Sequence, residues 1–363
     1  MIKYKLTGKS LYILIFFIFL FKSMLYLYFK LSGDGISTGG GSDANYYHAY
    51  AVGIANNAVN FWPVILRFLN DLGLYDRQTV ATTLFFLTLT LIPVLLYKTI
   101  LQEKFAAKEK LFLYIYFVFS LYPTFYLYTL DVYRDVAMFA TLLVSWYFLR
   151  RYYNNRVLGF YNLVVFFALG YLCYLLRPYL GFAVIASFFL YYFYSKTTRY
   201  TWLWIILYFL GLMVFQALGL FNSLTEYRGI DGFTEGGSTL GIGLHGRSPI
   251  VFAGLYIASF FGQVFGLFIV NAYAVALFII ETIPFVLALR YIFKNKKHMT
   301  KFCHYLLAFF IIYTTIWVIG NDNLGTAVRL RFHSYMAIFI CFFIVYQNKI
   351  MHASPALNKR SLA

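Results

Sequence analysis

The chain has 363 residues, of which 62% are hydrophobic and only 12% charged, with a formal net charge of +17. A soluble domain carries about 25% charged residues, so a large soluble domain is excluded. Apolar stretches of about 18 residues recur from end to end, each long enough to cross a bilayer as a helix, and they predict an all-α, polytopic protein forming one integral membrane domain over 1–363.

The first apolar run, Leu11 to Phe29, is too long for the core of a signal peptide and no A-x-A-like cleavage site follows it, so it is expected to be retained as a helix. It leads into STGGGSDANYYHAYAVG (37–53). Asp43, after three glycines and a serine, is expected to begin a helix, where capping and the helix dipole both favour an acid. Beyond that role it can act as a general base on a substrate hydroxyl. Tyr46, Tyr47 and Tyr50 offer flat rings either to sugars or to the membrane interface, and His48 lies among them as a candidate substrate contact. NFWPVILRFLNDLGLY (60–75) is amphipathic and predicts a helix lying on the membrane surface.

Next comes LYPTFYLYTLDVYRD (121–135), in which Pro123 bends or ends a helix. Asp131, Arg134 and Asp135 follow within about one turn. Arg134 either pairs with Asp131 at i,i+3 or faces substrate. In YLLRPYLG (174–181), Arg177 occupies a hairpin of almost no length between two spans, either snorkelling to headgroups or aimed at a lipid-borne phosphate. The segment 222–250 is the longest loop, rich in glycine, and carries Glu226, Arg228, Asp231, Glu235, His245 and Arg247. It is either plain solvated loop or a lid with glycine hinges. The apolar run from Ile250 to Ala288 is long enough for two crossings, but two would put KNKKH (294–298) on the wrong side. Residues 251–268 are therefore read as re-entrant or surface-lying and 271–291 as one crossing. Glu281 falls inside that crossing, where an acid faces the bundle interior, with Lys22 of the first span as a candidate partner. In GNDNLGTAVRLRFHSYM (320–336), Arg329, Arg331 and His333 alternate before an apolar helix. They are either flanking anchors or an oxyanion clamp, Asp322 being the only acid nearby. Cys173, Cys303 and Cys341 sit in or beside apolar runs without paired spacing, which points to buried thiols rather than disulfides or a metal site.

The expected spans are roughly 11–29, 78–98, 111–129, 132–149, 158–176, 179–195, 201–221, 271–291, 302–320 and 334–347. Ten crossings put both termini in the cytoplasm. Segments on that side hold 20 of the 30 Lys and Arg residues, the positive-inside bias. Most of the net charge is this asymmetry, and no basic folded domain exists to take a nucleic acid. The opposite face, with loops 31–77 and 222–250, takes 10 of the 13 acids, and its nine basic residues are Lys30 and eight arginines. Arginine presents a fork of donors matched to phosphate and carboxylate oxygens, so chemistry is expected on the extracytoplasmic side.

GSDANYYHAYA followed by a surface helix resembles the first outer loop of membrane glycosyltransferases of the GT-C class. YPTFYLYTLDVYRD, LLRPYLG and NLGTAVRLRF resemble stretches in bacterial polysaccharide-assembly proteins, and the Phe and Tyr content resembles O-antigen and capsule polymerases (Wzy-type) and EpsG-like proteins. The paired acids often seen in the first loop of GT-C enzymes are missing, since Ala44 follows Asp43. The resemblance implies a polyprenyl-diphosphate-linked sugar or oligosaccharide donor and acceptor, used outside the cytoplasmic (inner) membrane by a metal-independent reaction without cofactor. Asp43 would be the base. Arg177, Arg329 and Arg331 would converge on the departing diphosphate, and Arg134, His333, His48 and His245 would contact substrate. The expected function is repeat-unit polymerisation in lipopolysaccharide or capsule synthesis on undecaprenyl diphosphate, with a chain-length regulator or other envelope proteins as partners. A transferase adding one sugar and a non-enzymatic lipid-linked oligosaccharide flippase are the alternatives. A flippase needs charges lining the bundle from face to face, and only Lys22 and Glu281 lie at mid-membrane.

Overall fold

The computed structural model describes residues 8–31, 41–154, 158–194, 201–228 and 239–360. Residues 37–40 of the glycine stretch, and Asp34, Asp231 and Glu235, lie outside the described residues. Among those described, the chain is all-helical and has no strand, only an isolated bridge between Thr239 and Asn323.

Six helices are long and apolar enough to cross a membrane: α1 (Gly8–Leu31), α4 (Arg77–Ile100), α8 (Gly159–Leu176), the composite α13–α14 (Ala272–Lys294), α15 (Lys301–Gly320) and the apolar part of α16 (Leu324–Arg360). A seventh is available if α10 (Thr201–Ala217) and α11 (Asn222–Arg228), bent by 81°, count as one broken span. These six fall on six of the ten expected crossings. The other expected crossings are helical too, but shorter or less apolar: α5 (Lys108–Ser120) with α6 (Pro123–Leu127), α7 (Asp135–Asn154), α9 (Pro178–Tyr194) and α10. The remaining helices are α2 (Gly41–Ala51), α3 (Phe61–Asp71) and α12 (Pro249–Val264).

Local chemistry sets the helix starts. The side chains of Asn60, Asp76, Asn271 and Thr300 accept from the first free N–H groups of α3, α4, α13 and α15. Pro123 and Pro249 open α6 and α12, where the missing N–H has no partner to lose. Pro284 lies just after a π-turn at Phe278–Thr282, which separates α13 (Ala272–Leu277) from α14 (Ile283–Lys294).

The chain divides into two compact units, 1–181 with 349–363, and 182–348. In the first, α7 packs on α8 and α4 through Phe139, Leu142, Leu143 and Trp146, all fully buried. Arg150, expected only as a topological charge, is buried there and donates to the last carbonyls of α4, those of Thr99 and Leu101. It thereby satisfies acceptors that the helix end leaves open. Lys22 is also buried in this unit, with its ammonium 5.0 Å over the Tyr126 ring. In the second unit α15 and α16 form the core. From Tyr335 to Val345 almost every residue of α16 is buried on all sides, as expected of a helix that is apolar all round.

Candidate functional site

In the first unit, α2 is divided by helical spacing into three faces. Ala44, Tyr47 and Ala51 are buried where α2 packs on α3. Asn45 and His48 form the second face. Arg77 Nη2 donates to Asn45 Oδ1 at 2.7 Å, and His48 Nδ1 lies 3.0 Å from the Tyr75 hydroxyl. Between these two, Asp76 turns the other way and caps α4, accepting from Thr79 N at 2.8 Å and Thr79 Oγ1 at 2.7 Å. The third face carries Asp43, Tyr46 and Tyr50 at i, i+3 and i+7, all partly buried. Tyr46 donates to the Asn57 carbonyl, and the Arg67 guanidinium stands 5.3 Å over the Tyr50 ring. Asp43 thus lies in the first turn of a helix, as expected.

The same guanidinium grips Asp131 with two prongs, Nε to Oδ1 at 2.9 Å and Nη2 to Oδ2 at 2.6 Å. This corrects the pairing of Asp131 with Arg134. Residues 128–134 are not helical, so the i,i+3 geometry does not exist there, and Asp131 also accepts from Val132 N at 2.8 Å. Arg134 instead reaches across to α8 and donates to the Leu176 carbonyl at 2.9 Å. The next residue, Arg177, is buried as the single link between α8 and α9, its guanidinium 5.4 Å over the Tyr179 ring. Arg77 thus ties α2 to Asp131, and three residues further along the chain Arg134 reaches the carbonyl next to Arg177.

Electrostatics follow the same geometry. Burial, then the Arg77 charge, draws His48 below its ordinary value, partly opposed by Asp131 and Asp76. The imidazole is therefore neutral at pH 7. Burial pushes the Tyr75 hydroxyl up to about 12. The hydrogen bonds from Thr79 hold Asp76 below the usual carboxylate range.

The second unit holds the remaining expected residues. Residues 324–336 are helical, not extended, so Arg329, Arg331 and His333 fan around α16. Arg329 is partly buried. Arg331 is 2% exposed and pairs with Glu281 of the π-turn at 3.2 Å. This replaces both the Lys22–Glu281 pairing and the expectation that Arg331 has only Asp322 nearby. Asp322 is engaged elsewhere: Oδ1 meets Arg228, Oδ2 accepts from Gly241 N at 3.0 Å, and its carbonyl accepts from Leu240 N at 3.0 Å. It so fastens residues on both sides of 229–238, the part of the expected lid that lies outside the described residues. Arg331 also stands 5.5 Å from the Tyr335 ring and close under Gly266. An added Cβ there would come within 2.7 Å of Arg331 Nη1, and φ at Gly266 is +60°. His333 is buried edge-on to Tyr313. His245 is exposed, 3.1 Å from Thr225 Oγ1. Arg177 belongs to the first unit and Arg329 and Arg331 to the second.

Reading the sequence alone passes over Arg77, Tyr75 and Asn45. Asp76 three residues before Thr79 is a legible helix start, but Arg77 and Asp131 are 54 residues apart and no local spacing links them. Compared with protein-family models, curated proteins and solved structures, the chain matches none.

Proposed function

We propose that the chain is a membrane glycosyltransferase of the GT-C class that uses a polyprenyl-diphosphate-linked saccharide on the extracytoplasmic face of the bacterial inner membrane, as a repeat-unit polymerase. The observation that supports this reading is that Asp43, Arg134 and Arg177 all stand at helix ends of one unit, with Arg77 tying α2 to Asp131 and Arg134 donating to the carbonyl next to Arg177. Transfer from a lipid diphosphate asks for a base on the acceptor hydroxyl and cations where charge develops on the leaving group. In this reading Asp43 takes the proton of the acceptor hydroxyl as its oxygen attacks the anomeric carbon. The bond to the diphosphate breaks, and Arg177 faces the departing oxygens with Arg134 beside it. Tyr46 and Tyr50, on the same face of α2 as Asp43, offer rings to the sugar.

Arg331 has a smaller place here than the sequence suggested, because Glu281 already neutralises it. The proposed topology has ten crossings with both termini inside and loops 31–77 and 222–250 outside. An impermeant thiol reagent is then expected to miss a cysteine at position 296 from outside, and labelling there would overturn the choice of active face.

The deciding experiment is the lipopolysaccharide or capsule banding of a deletion strain. A polymerase mutant is expected to show core plus one repeat. A preserved ladder favours a single-sugar transferase, and loss of every repeat favours a flippase.

A further inference from the structure

We infer that Arg77 is a positioning residue that fixes the placement of α2, and with it the carboxylate of Asp43. The placement rests on geometry alone, and its bearing on turnover rests on the transferase reading above.

An eleven-residue helix is too short to hold itself in water. The buried face of α2 is small: Ala44 and Ala51 contribute a methyl group each, and only Tyr47 is large. Polar ties must therefore decide where the helix sits. Arg77 is the first residue of α4, whose start is set by the Asp76 cap. Its guanidinium is held rigidly by two bonds to Asp131, and the same Nη2 that meets Asp131 Oδ2 also meets Asn45 Oδ1. A planar fork clamped through two of its nitrogens has little freedom to turn, so the remaining N–H of Nη2 is aimed at Asn45. The position of Asp131 is thus passed to Asn45 through one rigid group. Asp43 is two residues upstream of Asn45, about 3 Å along the helix axis, so it moves with any shift of Asn45. The His48–Tyr75 contact is a second tie from the same three-residue segment, one turn further along α2. A lysine at 77 would keep the charge and lose the second prong.

The test uses the full chain in detergent with a reporter Ala49→Cys, since Cys173, Cys303 and Cys341 are all buried. Labelling by a maleimide reads local opening of α2. Arg77→Ala is expected to speed labelling on the order of tenfold, Arg77→Lys less. Asn45→Ala changes an exposed side chain and keeps the experiment informative should Arg77→Ala fold poorly. It is expected to speed labelling as well, and Arg77→Ala with Asn45→Ala is expected to open no more than Arg77→Ala alone. Unchanged labelling in both single variants, or additive effects in the pair, would overturn the tether.

Turnover is measured on undecaprenyl-diphosphate-linked oligosaccharide extracted from membranes of the deletion strain. Arg77→Ala is expected to lower kcat about tenfold while KM stays within twofold, and Arg77→Lys to restore part of kcat. A general loss of folded protein would not give that split. If the parent protein turns over no such donor, the transferase reading falls and labelling still decides the tether. If the parent is active and Arg77→Ala loosens α2 without slowing turnover, the link to Asp43 fails.

Discussion

The pair of Glu281 with Arg331 invites a perturbation whose size can be worked out beforehand. Their side chains are 0% and 3% exposed and 3.2 Å apart. At an effective dielectric constant of about 20, two unit charges at that separation attract by about 5 kcal/mol. Taking both ions out of water offsets much of this, so the pair as a whole contributes little net. Removing one partner is different, because the other charge stays buried and loses its counter-ion, at a cost of about 3–5 kcal/mol. Glu281→Gln keeps the shape and removes the charge opposite the guanidinium. Arg331→Met strands the carboxylate. Each is expected to lower the unfolding midpoint in detergent by about 10 °C. The double variant should lie well above the sum of the singles, by about 2 kcal/mol or more. A thiol-reactive dye provides the assay without added probes, since all three native cysteines are buried and react on unfolding. Single variants that melt within 2 °C of the parent, or a double variant that melts at the additive value, would refute the view of Arg331 as an interior counter-ion.

Three other outcomes are expected. Asp43→Asn should reduce transfer by about 10²-fold without changing maleimide labelling at Ala49→Cys; full polymer formation at normal abundance would leave Asp43 only its place in the helix start. Arg177→Lys should reduce polymer at normal protein abundance, because lysine cannot match diphosphate with two prongs; unimpaired polymer would make Arg177 a headgroup anchor. For pH, His48 is drawn below its ordinary 6.5 in the folded state, so its contribution is present above 6.5 and is lost as pH falls through the folded value. Labelling at Ala49→Cys, taken relative to a free thiol at the same pH because the thiolate is the nucleophile, should therefore accelerate on acidification, and His48→Gln should flatten that rise.

What the sequence made legible was local. The all-helical membrane character comes from apolar length, and six expected crossings coincide with helices that could span a bilayer. The helix after the glycine stretch, the amphipathic helix at 61–71, the stop at Pro123 and the one-residue link at Arg177 all derive from caps, prolines and periodicity. The pairings were not legible. Sequence proximity offers Arg134 as a partner for Asp131, and a shared place inside spans offers Lys22 for Glu281. The actual partners, Arg77 and Arg331, are 54 and 50 residues away. A charge finds its partner through the packing of whole helices, and helical spacing carries no record of that. The π-turn was equally hidden, since Pro284 announces an irregularity but not its register.

The link at Arg177 has a consequence for how this chain can vary. Most connections between helices absorb a gained or lost residue at small cost. Here the connecting residue is Arg177 itself, in extended backbone, and the first turn of α9 closes against α8. A Cβ on Gly181 would collide with the backbone of Tyr174. Nothing at this corner can take up slack. One inserted residue would rotate α9 by about 100° and carry Gly181 off its contact with α8. Length polymorphism among natural variants should therefore collect in the other connections and leave this corner at constant length.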